Sequence, residues 1–394
     1  MFKETSKELL NFLSKSPTAF HAVENYRQIL NADGFKELLE SEHWDIVPGG
    51  KYYVTRNNTS ILAFKVGTKL DNYSFNIVTS HTDSPTFKVK ENAEIEVKNK
   101  YTQLNTEGYG GMLCATWLDR PLSIAGRVLV SEGNSIVTKL LNIDRDLLMI
   151  PNVAIHMNRA ANDGFKYNLQ VDMLPLLSGG DDRQKDFKQI IADELGVKKE
   201  DILGHDLYLY NRMAPSIWGA NEEFISAGHL DDLQCGFASL KALLAGYNDE
   251  SIDIMACFDN EEVGSGTKQG ADSTLLRDTL IRINNALGKT EEDYHRALAS
   301  SFMLSADNAH AVHPNHPEHT DVTNCTYMNE GVVVKSHAGQ KYTSDGVSMA
   351  VVKSLASGAD VPLQYFANRS DKAGGSTLGN IAMAQASMNA VDIG

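Results

Sequence analysis

Three short apolar runs in this 394-residue chain end directly on acidic or imidazole side chains. Residues 75–80 lead into His81-Thr82-Asp83, residues 252–258 into Asp259-Asn260-Glu261-Glu262, and residues 302–306 into Asp307. Buried strands of an open α/β sheet read as short apolar runs, and ligands bind just beyond their carboxyl ends. The pattern predicts an α/β fold that gathers these groups along one sheet edge. Asp231-Asp232 is a fourth contributor. It opens a stretch in which Leu230, Leu233, Phe237, Leu240 and Leu244 recur at helical spacing.

Taken singly, each acid has a plainer reading as a helix cap or turn former, and a lone His81 as a hydrogen-bonded structural residue. The combination points further. One histidine with several carboxylates is a ligand set that suits zinc, with manganese or cobalt as alternatives. A carboxylate shared by two ions could bridge metals ~3.5–4 Å apart, an arrangement that acidifies a bound water. The adjacent Glu261-Glu262 pair repels itself, and a metal on one carboxylate with the other free as base relieves that repulsion.

Around these runs the chain changes character. Up to about residue 91 it closes in strand-like segments, 61–66 and 75–79. Residues 92–220 alternate in the manner of a β-rich region (93–97, 127–130, 136–140), with a helical stretch near 182–195. From about 221 buried strands alternate with helices. The economical reading is a discontinuous α/β domain, residues 1–91 and 221–394, split by a β-rich insertion at 92–220. The amino-terminal stretch reads as an amphipathic helix with Leu9, Leu10, Phe12 and Leu13 on one side. Glu4 and Glu8 interrupt what a secretory signal would need.

Charge excludes some partners. Lys and Arg total 36 against 51 Asp and Glu, a formal net charge of −15, which speaks against nucleic acid and against an anionic membrane surface. No apolar run approaches the ~20 residues of a membrane span. Four scattered cysteines form no disulfide framework, so a reducing, cytoplasmic location is expected. Gly288-Lys289-Thr290 lacks the first glycine of a phosphate loop. Pro314 and Pro317 break any α-helix that would align His310, His313, His316 and His319, which places most of these in a loop.

The motifs also carry a family resemblance. SPTAFHAVE, SHTDSP, YGGM, WLDRPLS, IPNVAIHMNR, GHLDDL, DNEEVGS, SADNAHAVHPN and NRSDKAGGSTLG occur in that order along nearly the whole chain. In this the chain resembles the aspartyl aminopeptidases, relatives of vacuolar aminopeptidase I and dinuclear zinc exopeptidases. The resemblance implies a catalytic domain with a central mixed sheet flanked by helices, plus an inserted β-rich dimerisation domain. It implies two Zn2+ per subunit, with His81 and Asp307 on one, Glu262 on the other and Asp231 bridging. Glu261 would be the general base, and Asp83 would orient His81. His156 would reach into a neighbouring subunit, while His310, Lys335 and Tyr342 would line the substrate pocket. Peptide substrates with amino-terminal Asp or Glu are expected, with apolar residues as the alternative. The assembly expected is a homo-oligomer, a dodecamer built from dimers.

Two departures stand out. Position 232 is Asp where the family usually has Asn. The chain closes on Val391-Asp392-Ile393-Gly394, where relatives continue into Ser-Met-His-Ser, whose histidine completes the second zinc site. The alternative expectation is therefore a catalytically impaired oligomeric scaffold.

Overall fold

The computed structural model describes residues 2–180 and 186–394. The first strands are β1 (Lys36–Glu37), β2 (Lys51–Arg56), β3 (Ser60–Val66) and β4 (Ser74–His81). There follow β5 (Thr86–Val97), β6 (Tyr101–Tyr109), β7 (Leu122–Glu132), β8 (Ser135–Asn142), β9 (Leu176–Gly179) and β10 (Ile202–Asn211). A small ribbon of β11 (Ser216–Trp218) and β12 (Phe224–Ser226) comes next. The last strands are β13 (Ser251–Phe258), β14 (Phe302–Ala306), β15 (Val332–Ser336), β16 (Leu363–Ala367) and β17 (Asn389–Ile393). The helices are α1 (Phe2–Ser14), α2 (Ala19–Ala32), α3 (Phe187–Leu195), α4 (Leu230–Ala245), α5 (Leu275–Ala286), α6 (Glu291–Ala299), α7 (Gly346–Gly358) and α8 (Leu378–Gln385).

Nine strands form a mixed sheet in the order β1-β2-β3-β13-β4-β14-β17-β15-β16. The alternation of side chains along its central strands explains its two faces. Ile61 and Ala63 of β3, with Met255 and Cys257 of β13, turn towards α1, α2 and α4, where they meet Leu9, Phe12, Val23, Tyr26, Leu233 and Phe237. Leu62 and Phe64 of β3, with Ile254, Ala256 and Phe258 of β13, face the other way onto Leu275, Leu276 and Leu280 of α5, Tyr294 of α6 and Leu378 of α8. Lys65 is a cation in a strand whose seven residues are all buried. Its ammonium donates to the carbonyls of Leu244 and Gly246 at 2.8 and 3.0 Å, satisfying orphan acceptors at the carboxyl end of α4.

The second sheet has six strands in the order β8-β7-β10-β5-β6-β9, all antiparallel. Its core includes Phe87, Leu104, Leu122, Ile124, Leu207 and Leu209, closed over by Phe187 and Ile191 of α3. Helix α3 begins behind Asp186, whose side chain accepts from the backbone N–H of Gln189. Of the helical stretch expected at 182–195, residues 182–185 lie outside the described residues. Arg127 on β7 donates to the backbone carbonyl of Asn57 at 3.2 Å, joining the second sheet to the first. Among the described residues no helix is long and apolar enough to cross a membrane.

Strand β17 lies between β14, to which it is parallel, and β15, to which it is antiparallel. Its Asp392 is fully buried and accepts from the Thr343 N–H at 2.5 Å, the Thr343 hydroxyl at 2.7 Å and the Thr377 hydroxyl at 2.5 Å. One carboxylate thus ties down the approaches to α7 and α8. Removing it strands one buried and two half-buried donors, so Asp392→Ala is expected to lower unfolding free energy by roughly 2–4 kcal/mol. Urea unfolding measures this, and a loss below about 1 kcal/mol would refute the account.

Candidate active site

The parallel strands β4, β13 and β14 end together. His81 stands opposite Phe258 in the register, and Ser305 opposite Thr79, which puts Asp307 level with His81. The chemistry-bearing residues therefore leave three adjacent strands at one edge. Asp231 arrives from the first turn of α4, where its φ/ψ of −85°/107° is not helical and the Asp231–Asp232 peptide is cis.

Here the side chains converge. One ligand atom each from His81, Asp231 and Asp307 lie within 4.8 Å of one another, as do those of His81, Glu261 and Glu262. His81 belongs to both groups. Its Nε2 faces Asp231 Oδ1 at 3.3 Å and Glu261 Oε2 at 3.9 Å. Its Nδ1 lies 3.0 Å from the Asp83 carbonyl and 3.3 Å from Asp83 Oδ1. A carbonyl oxygen can only accept, so Nδ1 carries the hydrogen, leaving the Nε2 lone pair available to a cation.

Asp83 organises more than the imidazole. Its carboxylate accepts from the backbone N–H groups of Glu261 and Glu262, each at 3.2 Å, and from the Tyr109 hydroxyl at 2.7 Å. Burial alone would raise its pKa, yet His81, Tyr109 and the Glu262 N–H hold it below the usual carboxylate range. The Tyr109 oxygen in turn accepts from the Asn260 side chain at 2.8 Å. Tyr109 belongs to β6, so the second sheet reaches into this edge. Gly110 follows with φ of +73°, and a Cβ there would lie 2.9 Å from the Cβ of Glu262. Neither Tyr109 nor Asn260 stands out as functional from the sequence pattern, although Tyr109 opens the motif YGGM. A tyrosine and two glycines directly after an alternating segment were the available signal.

The other expected residues fall into two places. Lys335 on β15 is 4 % exposed, so it is no surface lysine. Its ammonium donates to the Asn308 carbonyl at 3.0 Å, lies 3.8 Å from Asp307 Oδ1, and sits 5.8 Å from the centre of the Tyr342 ring. His310 lies three residues beyond Asp307, its ring 6.3 Å from that of Phe366, which packs with Tyr342. His156 is exposed, on residues 151–160, which form neither helix nor strand, and is not among the side chains that meet here. Asp232 is fully buried and accepts from the His81 backbone N–H at 3.1 Å. Burial pushes its carboxyl well above the usual range, and a carboxyl kept neutral offers what an asparagine would.

The edge stays open. A cavity of about 390 Å3 is lined in part by Asp83 and Asn260, but none of His81, Asp231, Glu262 or Asp307 lines it. The Asp231 side chain is 56 % exposed.

The electrostatics fit a divalent cation. Burial, opposed by His81 and reinforced by the neighbouring acids, raises Glu261 to about 7 and Glu262 to about 8; burial also raises Asp307. Burial would lower the His81 pKa, but Asp231 and Asp83 carry it well above the ordinary value. All these folded values exceed their unfolded ones, so without a cation stability falls as pH rises from about 4.5 to 8. A dication displaces those protons and offsets the repulsion. The gap in thermal midpoint between cation-loaded and chelator-treated protein is therefore expected to be larger at pH 8 than at pH 6. A gap that narrows towards pH 8 would overturn this.

Comparison with known proteins agrees with the geometry. Residues 12–394 match the family described as aminopeptidase I zinc metalloprotease (M18). The chain is 48% identical over 395 residues to a probable M18 family aminopeptidase 2 of Clostridium novyi (strain NT), covering 99% of this chain and 91% of that protein. Among solved structures, a chain of the cryo-EM structure of the Ape4 and Nbr1 complex matches with a TM-score of 0.95 at 34% identity, covering 100% of this chain and 80% of that one. The S. cerevisiae mApe1 dodecamer matches with a TM-score of 0.85 at 28% identity, covering 100% and 90%. The chain belongs to the M18 family of zinc aminopeptidases.

Proposed function

We propose that this protein is a dinuclear zinc aminopeptidase that removes amino-terminal Asp or Glu from peptides. The observation that carries the reading is the convergence of His81, Asp231, Glu261, Glu262 and Asp307 at one sheet edge, with Lys335 buried beside Asp307. His81 and Asp307 would hold one ion, Glu262 the other, and Asp231 both. Bound there, the two ions would supply Lewis-acid polarisation of the scissile carbonyl and acidify water.

The chain's own residues do the rest. Asp83 fixes the ring of His81 and, through the two backbone N–H groups it accepts from, the start of the Glu261-Glu262 turn. Glu261, beside His81 and Glu262 in the cluster, would accept a proton from the attacking water and return it to the departing amine. Glu261→Gln is expected to bind as much zinc per chain as the parent protein yet lose at least ~100-fold in kcat, the lower end of what a general base supplies. Normal turnover would remove Glu261 from the mechanism, and a metal count below two in the parent protein would refute the dinuclear reading.

Lys335 supports the acidic preference. A buried ammonium has donors to spare beyond its bond to Asn308 and would pair with a substrate side-chain carboxylate beside Tyr342 and His310. Kinetics on Glu-, Asp- and Leu-anilides test this. The acidic substrates are expected to lead, and Lys335→Met to erase most of that lead. A preference for Leu would reject the lysine argument in favour of an apolar specificity.

Assembly belongs to the same proposal. The exposed His156 would act on a neighbouring copy, whose open edge it would help to close, and a dodecamer built from dimers would bring copies together in this way. The matching mApe1 structure is described as a dodecamer, which supports the expectation.

A further inference from the structure

Histidines recur every third residue from 310 to 319, and the chain between them bends in a way that prolines permit. The His316 N–H donates to the His313 carbonyl at 3.1 Å, and the His319 N–H to the His316 carbonyl at 3.2 Å. These are i to i+3 bonds. The second closes the short 3-10 helix Pro317–His319, where a proline stands at the first position, which needs no N–H. At three residues per turn, side chains at i and i+3 eclipse. The rings obey: His313 and His316 have centroids 5.4 Å apart, and His316 and His319 stack at 5.4 Å with 27° between planes. The prolines that exclude an α-helix leave this tighter alignment intact.

Glu318 completes a ligand set. Its Oε1 lies 3.0 Å from His316 Nδ1 and 3.9 Å from His319 Nε2, and one ligand atom from each of the three lies within 4.8 Å of the others. Two ligand atoms bound at about 2.1 Å to one ion stand roughly 3–3.5 Å apart, so the turn is nearly in position. The His313 Nδ1 already accepts from the Asn315 N–H, so this ring supports the stack and does not ligate. Arg369, paired with Asp371, donates to the Glu318 carbonyl and braces the turn.

We propose that His316, Glu318 and His319 form a surface site for a zinc-like divalent transition metal, separate from the catalytic cluster. Two imidazoles and a carboxylate suit zinc, nickel or copper, and three protein ligands leave the remaining positions to water. The site uses none of the residues assigned to catalysis, so it stands or falls independently of the peptidase reading.

The test counts zinc. Untagged full-length protein and the His316→Gln/His319→Gln variant are dialysed at pH 7.5 against buffer holding about 10 μM free Zn2+, a concentration at which a micromolar site fills. The parent is expected to retain one more zinc per chain than the variant, with peptidase activity and thermal midpoint alike in both. Glu318→Ala, a milder change, is expected to weaken that extra zinc at least about 10-fold. Equal zinc counts in parent and double variant would overturn the proposal, as would full retention in Glu318→Ala.

Discussion

The carboxylate of Asp83 is the point on which the candidate site turns. It lies against the His81 imidazole, accepts from two consecutive backbone N–H groups that begin the Glu261-Glu262 turn, and receives the Tyr109 hydroxyl. These partners come from both sheets. Losing this one group would free the ring of His81 and the loop after β13 together. Such a group must be ionised to serve, and the His81 imidazole together with the Tyr109 hydroxyl and the Glu262 N–H holds its pKa low despite burial.

Around that anchor the remaining acids are held in the opposite condition. Glu261, Glu262 and Asp307 face one another with little cationic company beyond His81 and Lys335, and all are pushed upward. A cluster of this kind is costly to the bare protein. It makes sense as a site shaped for a partner of opposite charge, and the M18 zinc family supplies that partner's chemical class.

Much of this was legible in the residues. Period-2 alternation and apolar runs marked β3, β4, β13 and β14, and the acids following them were visible because a strand end in such a sheet is where ligands collect. The burial of Lys335 was not legible, because a lysine in VVVKS reads equally well as an edge residue. Nor was the role of Tyr109. Its partner Asp83 lies 26 residues away and Asn260 lies 151 away, and hydrogen bonds across two sheets leave no periodic trace. The prolines keep the histidine run out of any α-helix, as its sequence implies, but its three-residue period becomes a common face only through i to i+3 turns, which helical periodicity does not reveal.

The position of β13 has a consequence for how the molecule comes to exist. It is wedged between β3 and β4, strands laid down well over a hundred residues before it, so those two cannot pair correctly with each other first. Pairings of such sequence separation are slow to form. During synthesis at ~5–20 residues per second, the apolar edges of β3 and β4 wait on the order of ten seconds or more for their partner. The antiparallel sheet lies wholly between β4 and β13 in the sequence, two of its pairings, β5–β6 and β7–β8, join neighbours, and it can close in that interval. The scaffold that supplies Tyr109 would thus be in place before the edge it braces has assembled.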